Sequence, residues 1–302
     1  MASKHTSPRW LRIVKWVTGI LLGLIVILWI IFRFALGEFG AVDEATFEAY
    51  YDDMPVKPTD HMYEVGGVKM HYKSVGAENL PTILFIHGSP GSWDAFASYM
   101  QDPRLMDQAR MISVDRMGYG KSAHIPESSL EKQVDYIWPV VETLPDSVPL
   151  ILVGHSYGGP VAVRMAMDHP DRVDGMVILA GLADPEYEKR LAIQSYLRSP
   201  YLRWLLPPAL DISNREIVPL KEELKDMLPL WERISASSLI IQGTGDILVA
   251  YPHATFAHKM LSQTAPSLTM MEGENHFFIW SEAEMVIGRL LEFVQCVVQE
   301  KA

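Results

Sequence analysis

The sequence predicts an α/β fold: a mostly parallel eight-stranded sheet flanked by helices, with a helical cap inserted late in it and an apolar helix ahead of it. Three observations predict this. Short, continuous apolar runs alternate with helical patterns, as strands buried on both faces require. The alternation breaks once, over residues 182–236. Finally, seventeen residues from Trp16 to Phe32 carry no charge.

The run WVTGILLGLIVILWIIF comes first. At about 1.5 Å per residue it gives roughly 26 Å of helix, and Lys15 and Arg33 can extend outward to complete a span of about 30 Å. It is apolar all round, unlike the striped helix of a soluble core. The predicted organisation is a basic cytoplasmic N-terminus (1–15), a transmembrane anchor (16–36), an acidic juxtamembrane connector (37–59) and one body (60–302) holding the cap insertion. Lys4, Arg9, Arg12 and Lys15 precede the span, and Glu38, Asp43 and Glu44 follow it. That bias puts the N-terminus in the cytoplasm and the body on the extracytoplasmic side. Secretion after signal cleavage near Ala35-Leu36-Gly37 is the alternative; the long apolar core and Arg33 disfavour it.

The 302 residues suffice for one large α/β domain with an insertion. The formal net charge is −11, with five basic and no acidic residues in 1–36, leaving 21 basic against 37 acidic in the remainder. A body that acidic repels phosphate backbones, which excludes nucleic acid as a partner. Cys296 is the only cysteine, so neither an intrachain disulfide nor a cysteine-based metal site can form. It falls in an amphipathic stretch, 286–298, where a buried structural thiol is expected.

Strand signals begin at 62–65 and 69–75, separated by Gly66-Gly67, a two-residue hairpin turn because glycine tolerates positive φ at both positions. Further runs lie at 82–86, 110–114, 150–153, 175–179, 238–241 and 268–271, with helical patterns near 93–100, 130–143, 157–168, 252–263 and 281–299. The interruption at 182–236 is rich in proline, bulky apolar residues and charge. It reads as several short helices capping the carboxyl edge of the sheet, since an unstructured loop of that length is improbable.

The chemistry gathers at the strand ends. Gly154-His155-Ser156-Tyr157-Gly158 fits G-x-S-x-G between a strand and a helix, a sharp turn that lifts the Ser156 hydroxyl above the sheet edge. His155 reads as a packing residue, because adjacent side chains on such a turn diverge. A serine hydroxyl needs a base to take its proton. His276 follows the last strand and is the candidate; His169, His253, His258 and His5 are placed at a helix end, on a surface helix or in the cytoplasm. The base needs an acid to fix its tautomer. Asp246, after the seventh strand, is preferred over Asp184, after the sixth. A developing oxyanion needs fixed donors. The backbone amides of Ser89, in His87-Gly88-Ser89-Pro90-Gly91, and of Tyr157 are the candidates. Trp204, Leu205 and Trp231, with Tyr201 and Leu206, suggest an apolar substrate pocket or the cap's own core.

HGSPGS (87–92), DRMGYGKS (115–122), GHSYGG (154–159), GTGD (243–246) and GENH (273–276) stand in this order, and with them the chain resembles the single-cap branch of the α/β-hydrolase superfamily over residues 60–300. The resemblance implies Ser156 as nucleophile, Asp246 as acid, His276 as base, oxyanion amides at Ser89 and Tyr157, a structural role for 115–122, and no metal or cofactor. A serine at the elbow argues against the dehalogenase and epoxide-hydrolase branches, which use an aspartate there. The expected activity is hydrolysis of a carboxylic ester, a small molecule of lipid origin, through an acyl-enzyme. A C–C bond hydrolase, an aminopeptidase or a non-catalytic membrane-tethered receptor are the rivals. Oligomeric state is not legible.

Overall fold

The computed structural model describes residues 8–35, 51, 56–189 and 191–301. Most of the connector 37–59 therefore lies outside the described residues, as do Lys4, His5, Glu38, Asp43 and Glu44. The chain runs α1 (Arg9–Ala35), β1 (Thr59–Val65), β2 (Val68–Val75), β3 (Thr82–Ile86), α2 (Ala97–Met100), α3 (Pro103–Gln108), β4 (Arg110–Asp115), α4 (Leu130–Glu142), β5 (Leu150–His155), α5 (Gly158–Asp168) and β6 (Gly175–Leu179). It continues through α6 (Ala192–Leu197), α7 (Pro208–Met227), β7 (Ser237–Gly243), α8 (Pro252–Met260), β8 (Ser267–Met271), α9 (Phe278–Ser281) and α10 (Ala283–Lys301).

The eight strands form one sheet in the order β1-β2-β4-β3-β5-β6-β7-β8. β1 and β2 are antiparallel, β2 meets β4 antiparallel, and every pair from β4 onward is parallel. Gly66 and Gly67 take φ of +57° and +84°, which lets Val65 pair directly with Val68.

Side-chain alternation along each strand divides the core. Leu84, Ile86, Leu150 and Leu152 face α4, α5, α7 and α8, while Ile83, Phe85, Ile151 and Val153 face α2, α3 and α10. Each fully buried aliphatic side chain contributes about 1.5–3 kcal/mol, so the central strands need no polar face. Cys296 is a correction: it is exposed. The buried stripe of α10 is Val286, Ile287, Leu290, Phe293, Val294 and Val297, and Cys296 falls beside it.

The excursion between β6 and β7 holds α6, a 3-10 turn at Arg203–Leu205, α7 and a 3-10 segment at Leu228–Arg233. One twenty-residue helix replaces several of the expected short ones. Pro208 starts it, where the missing N–H costs nothing, and Pro219 is accommodated inside it. α1 is apolar and long enough to cross a membrane; it begins at Arg9 and so takes in Arg12 and Lys15. Its last turns dock on the excursion. Trp29 Nε1 donates to the Leu205 carbonyl (3.1 Å), and Arg33 Nη1 donates to those of Trp204 (2.9 Å) and Leu206 (2.8 Å).

Candidate active site

In an open parallel sheet the ligand crevice forms at the carboxyl ends where successive connections leave in opposite directions. Here that point lies between β3 and β5, whose ladder ends at the pair Ile86↔Gly154. β5 ends at His155, and Ser156 turns back with φ +54°, a left-handed conformation that a non-glycine residue adopts only under constraint. The constraint is visible. Ser156 N–H donates to the Leu179 carbonyl (3.0 Å), and the Ser156 carbonyl accepts from Gly159 (3.0 Å). A Cβ on Gly158 would collide with the Ile86 carbonyl, and one on Gly154 with the Gly158 carbonyl, so both glycines are steric requirements of the elbow.

β7 and β8 deliver the other two groups. His276 Nδ1 donates to Asp246 Oδ2 at 2.7 Å, and both side chains are almost wholly buried. Asp246 Oδ1 accepts from the amides of Leu248 and Val249, each at 2.8 Å. Burial alone would raise this carboxyl; the His276 bond and the two amides outweigh it and hold it below its ordinary value. Asp246 is thereby kept as the anion that would steady a protonated imidazole. Among the described residues Ser156 Oγ and His276 Nε2 form no hydrogen bond; such nucleophile–base contacts commonly tighten only in a substrate complex.

The loop after β3 packs against the elbow: a Cβ on Gly88 would stand 2.9 Å from Ser156 Cβ and 3.3 Å from His155 Nδ1. Neither the Ser89 nor the Tyr157 amide donates to another described residue. Two polar N–H groups beside a strained serine are thus left for an acceptor from outside. His155 lies under this arrangement, its ring 4.8 Å from that of His276 and its Nε2 donating to the His276 carbonyl (3.3 Å). Burial, then the neighbouring His276, pushes it down to about 3 and keeps it neutral.

Other candidates fall elsewhere. Asp184 accepts from the Glu186 amide (2.8 Å), a turn contact. His253, expected on a surface, is a correction: it is buried at the start of α8, and its Nδ1 accepts from the amides of Ala183 and Asp184. His169 stacks on Trp138. The apolar trio does not share one pocket. Trp231 is buried against Phe256 in the body core, whereas Trp204 is half-exposed with its ring edge-on to Trp29, and the Leu205 carbonyl serves α1.

A family model described as the alpha/beta hydrolase fold matches residues 81–210. A membrane phospholipase A, described as a bacterial virulence factor, superposes with a TM-score of 0.65 over 94% of this chain and 98% of its own, at 19% identity. This chain has the α/β-hydrolase fold. The chain is also similar to epoxide hydrolase 1 of Caenorhabditis elegans, 31% identical over 36% of this chain and 27% of that one. A mouse sn-1-specific diacylglycerol lipase is 35% identical over 34% of each. The chain thus matches only about a third or less of the length of these curated relatives.

Two further groups belong to the candidate site and were not anticipated. Gln242 Nε2 donates to Asp246 Oδ2 (3.2 Å) and to the Val249 carbonyl (3.0 Å), bracing the acid loop. Glu216 of α7 reaches a completely buried ion pair with Arg116 (2.7 Å), and its Oε2 also accepts from Ser89 Oγ (2.5 Å) and Tyr119 Oη (2.8 Å). Arg116 in turn donates to the His87 and Gly88 carbonyls. The loop after β3 is therefore clamped from below by Arg116 and from the excursion by Glu216. Glu216 had one sequence signal: it interrupts the buried stripe Ile212, Leu220, Leu224 at four-residue spacing.

The buried histidines predict acid sensitivity. His155 and His253 are lowered, to about 3 and about 4, both chiefly by burial. The unfolded chain takes up their protons below about pH 6.5 while the folded chain refuses them. Stability is therefore full above that pH and falls as the pH drops toward 4. Between pH 7.5 and 5 each histidine should remove about 2 kcal/mol. Urea unfolding at the two pH values checks this; equal free energies would show that neither imidazole is held neutral.

Proposed function

We propose that the chain is a membrane-anchored serine hydrolase that cleaves carboxylic esters of lipid origin. The observation that carries this reading is a serine, rather than a carboxylate, on the strained elbow beside the Asp246–His276 pair. The difference is chemical. A serine that opened an epoxide or displaced a halide would end as an ether, which has no carbonyl for water to attack, and turnover would stop after one event. A serine that attacks an ester carbonyl ends as an acyl-enzyme, which water can cleave.

In the proposed cycle, His276 Nε2 takes the Ser156 Oγ proton as Oγ bonds to the carbonyl carbon, and the oxyanion is held by the Ser89 and Tyr157 amides. His276 returns the proton to the departing alcohol oxygen as the C–O bond breaks. Water, deprotonated by His276, then attacks the acyl carbon and Ser156 leaves with the proton. Asp246 holds the Nδ1–H tautomer throughout and stays ionised. Every proton stays within the His276 relay, so no metal or cofactor is called on.

Lipid origin is supported by α1, which is apolar over a membrane's thickness and docks on the excursion through Trp29 and Arg33. With α1 spanning the bilayer and its N-terminus in the cytoplasm, the site works on the extracytoplasmic side. The test is hydrolysis by the full chain, in nonionic detergent, of p-nitrophenyl esters from acetate to palmitate; absence of turnover on all of them would sink the reading. Asp246→Asn should lower kcat by about four orders of magnitude, because the amide favours the wrong imidazole tautomer. Asp184→Asn should stay within a few-fold of wild type. Equal losses in the two variants would move the acid.

A further inference from the structure

Where the C-terminal end of α1 meets the excursion, a cavity of about 420 Å³ opens between Arg33, the His124–Pro126 loop and the start of α7. Its polar lining is cationic. Arg33, Arg203 and Arg215 face it with a single carboxylate, Asp211, and His124 adds a ring nitrogen donor. A pocket holding three guanidinium groups against one carboxylate runs counter to a chain with 26 basic and 37 acidic residues.

The guanidinium groups are only partly used. Arg33 spends Nη1 on the Trp204 and Leu206 carbonyls, leaving Nη2 and Nε without a hydrogen bond to the described residues. Arg203 has no ion pair among the described residues. Arg215 Nε lies 3.2 Å from Asp211 Oδ2 as an ion pair without a hydrogen bond, and Arg215 Nε and Asp211 Oδ1 are each buried with no hydrogen-bond partner. Buried polar groups are rarely left so, which marks this end of α7 as a site whose charge is not matched from within.

We propose that this cavity binds a phosphate-bearing anion, the headgroup of an acidic phospholipid. Guanidinium forks match phosphate oxygens two at a time, and three of them exceed what one carboxylate neutralises. Depth selects the source, resting on the reading of α1 as the anchor. Arg33 directly follows the apolar run that ends at Phe32, which puts the cavity at the level of the lipid phosphates. Trp204, Leu206 and Ile212 give the same cavity an apolar wall for the glycerol and the first methylenes of the chains.

The test uses the full chain in nonionic detergent and reads the thermal unfolding midpoint. One arm is titrated with a short-chain diether phosphatidylglycerol, which has no ester to be consumed, and the other with inorganic phosphate. The diether lipid should raise the midpoint saturably, with half-saturation at least ten-fold below that of phosphate. The exposed Arg203→Gln variant should raise the lipid half-saturation at least three-fold, and Arg203→Gln with Arg215→Gln at least ten-fold, with the ligand-free midpoint of Arg203→Gln unchanged. If phosphate saturates at the same concentration as the lipid, the lipid assignment is overturned. No lipid shift, or a shift unaffected by Arg203→Gln, overturns the site.

Discussion

Ser156→Ala is expected to lower kcat on a p-nitrophenyl ester by about 10⁶-fold, because nucleophile and base act as a unit and the loss of one forfeits nearly all of their joint contribution. The residual rate would come from the proposed oxyanion amides and substrate binding alone. The fold should not suffer. The bonds that hold the elbow, to Leu179 and from Gly159, are made by the Ser156 backbone, and alanine bears the same left-handed φ as serine. The unfolding midpoint should therefore stay within about 2 °C of wild type. Kinetics and calorimetry on the same preparation check both halves. A loss of activity accompanied by unfolding would say nothing about the nucleophile, so the calorimetric half is essential.

Glu216→Ala is expected to produce the largest loss of stability, about 3–5 kcal/mol. Removing one partner leaves Arg116 charged in a site that excludes water. At roughly 2–4 °C per kcal/mol for a domain of this size, the midpoint should fall by about 10 °C. The paired change Arg116→Met with Glu216→Leu should cost less than the single one, because it removes the uncompensated charge along with the pair. Turnover should fall as well, by up to about 10²-fold, since the Ser89 hydroxyl is anchored by Glu216 and the neighbouring amide is a proposed oxyanion donor. A Glu216→Ala protein as stable as wild type would mean that Arg116 finds other compensation.

The sheet was legible because its signals are local. Runs such as 82–86 and 175–179 carry no charge and are apolar but for Thr82, and β3 and β6 have those limits in the structure. The elbow was legible for the same reason, since a strand, a G-x-S-x-G turn and a helix are contiguous. Asp246 and His276 could be nominated because each follows a strand of a sheet whose carboxyl ends must converge. Arg116 and Glu216 could not: a hundred residues separate them, and nothing in either neighbourhood names the other. Gln242 escaped because it reads as one more residue of a buried strand. Cys296 and His253 were misjudged where burial turns on helix phase, which a helical pattern leaves open by a residue. Trp204 and Trp231 lie in one apolar insertion, yet they serve different surfaces, one against α1 and one in the body core.

The central claim is that Ser156 is the nucleophile, and covalent labelling tests it most directly. The folded full chain, treated with a fluorophosphonate and digested, should yield a single modified peptide with the adduct on Ser156, and His276→Ala should slow that labelling by orders of magnitude. An adduct on any other serine, or no adduct on the folded wild-type chain, would contradict the account.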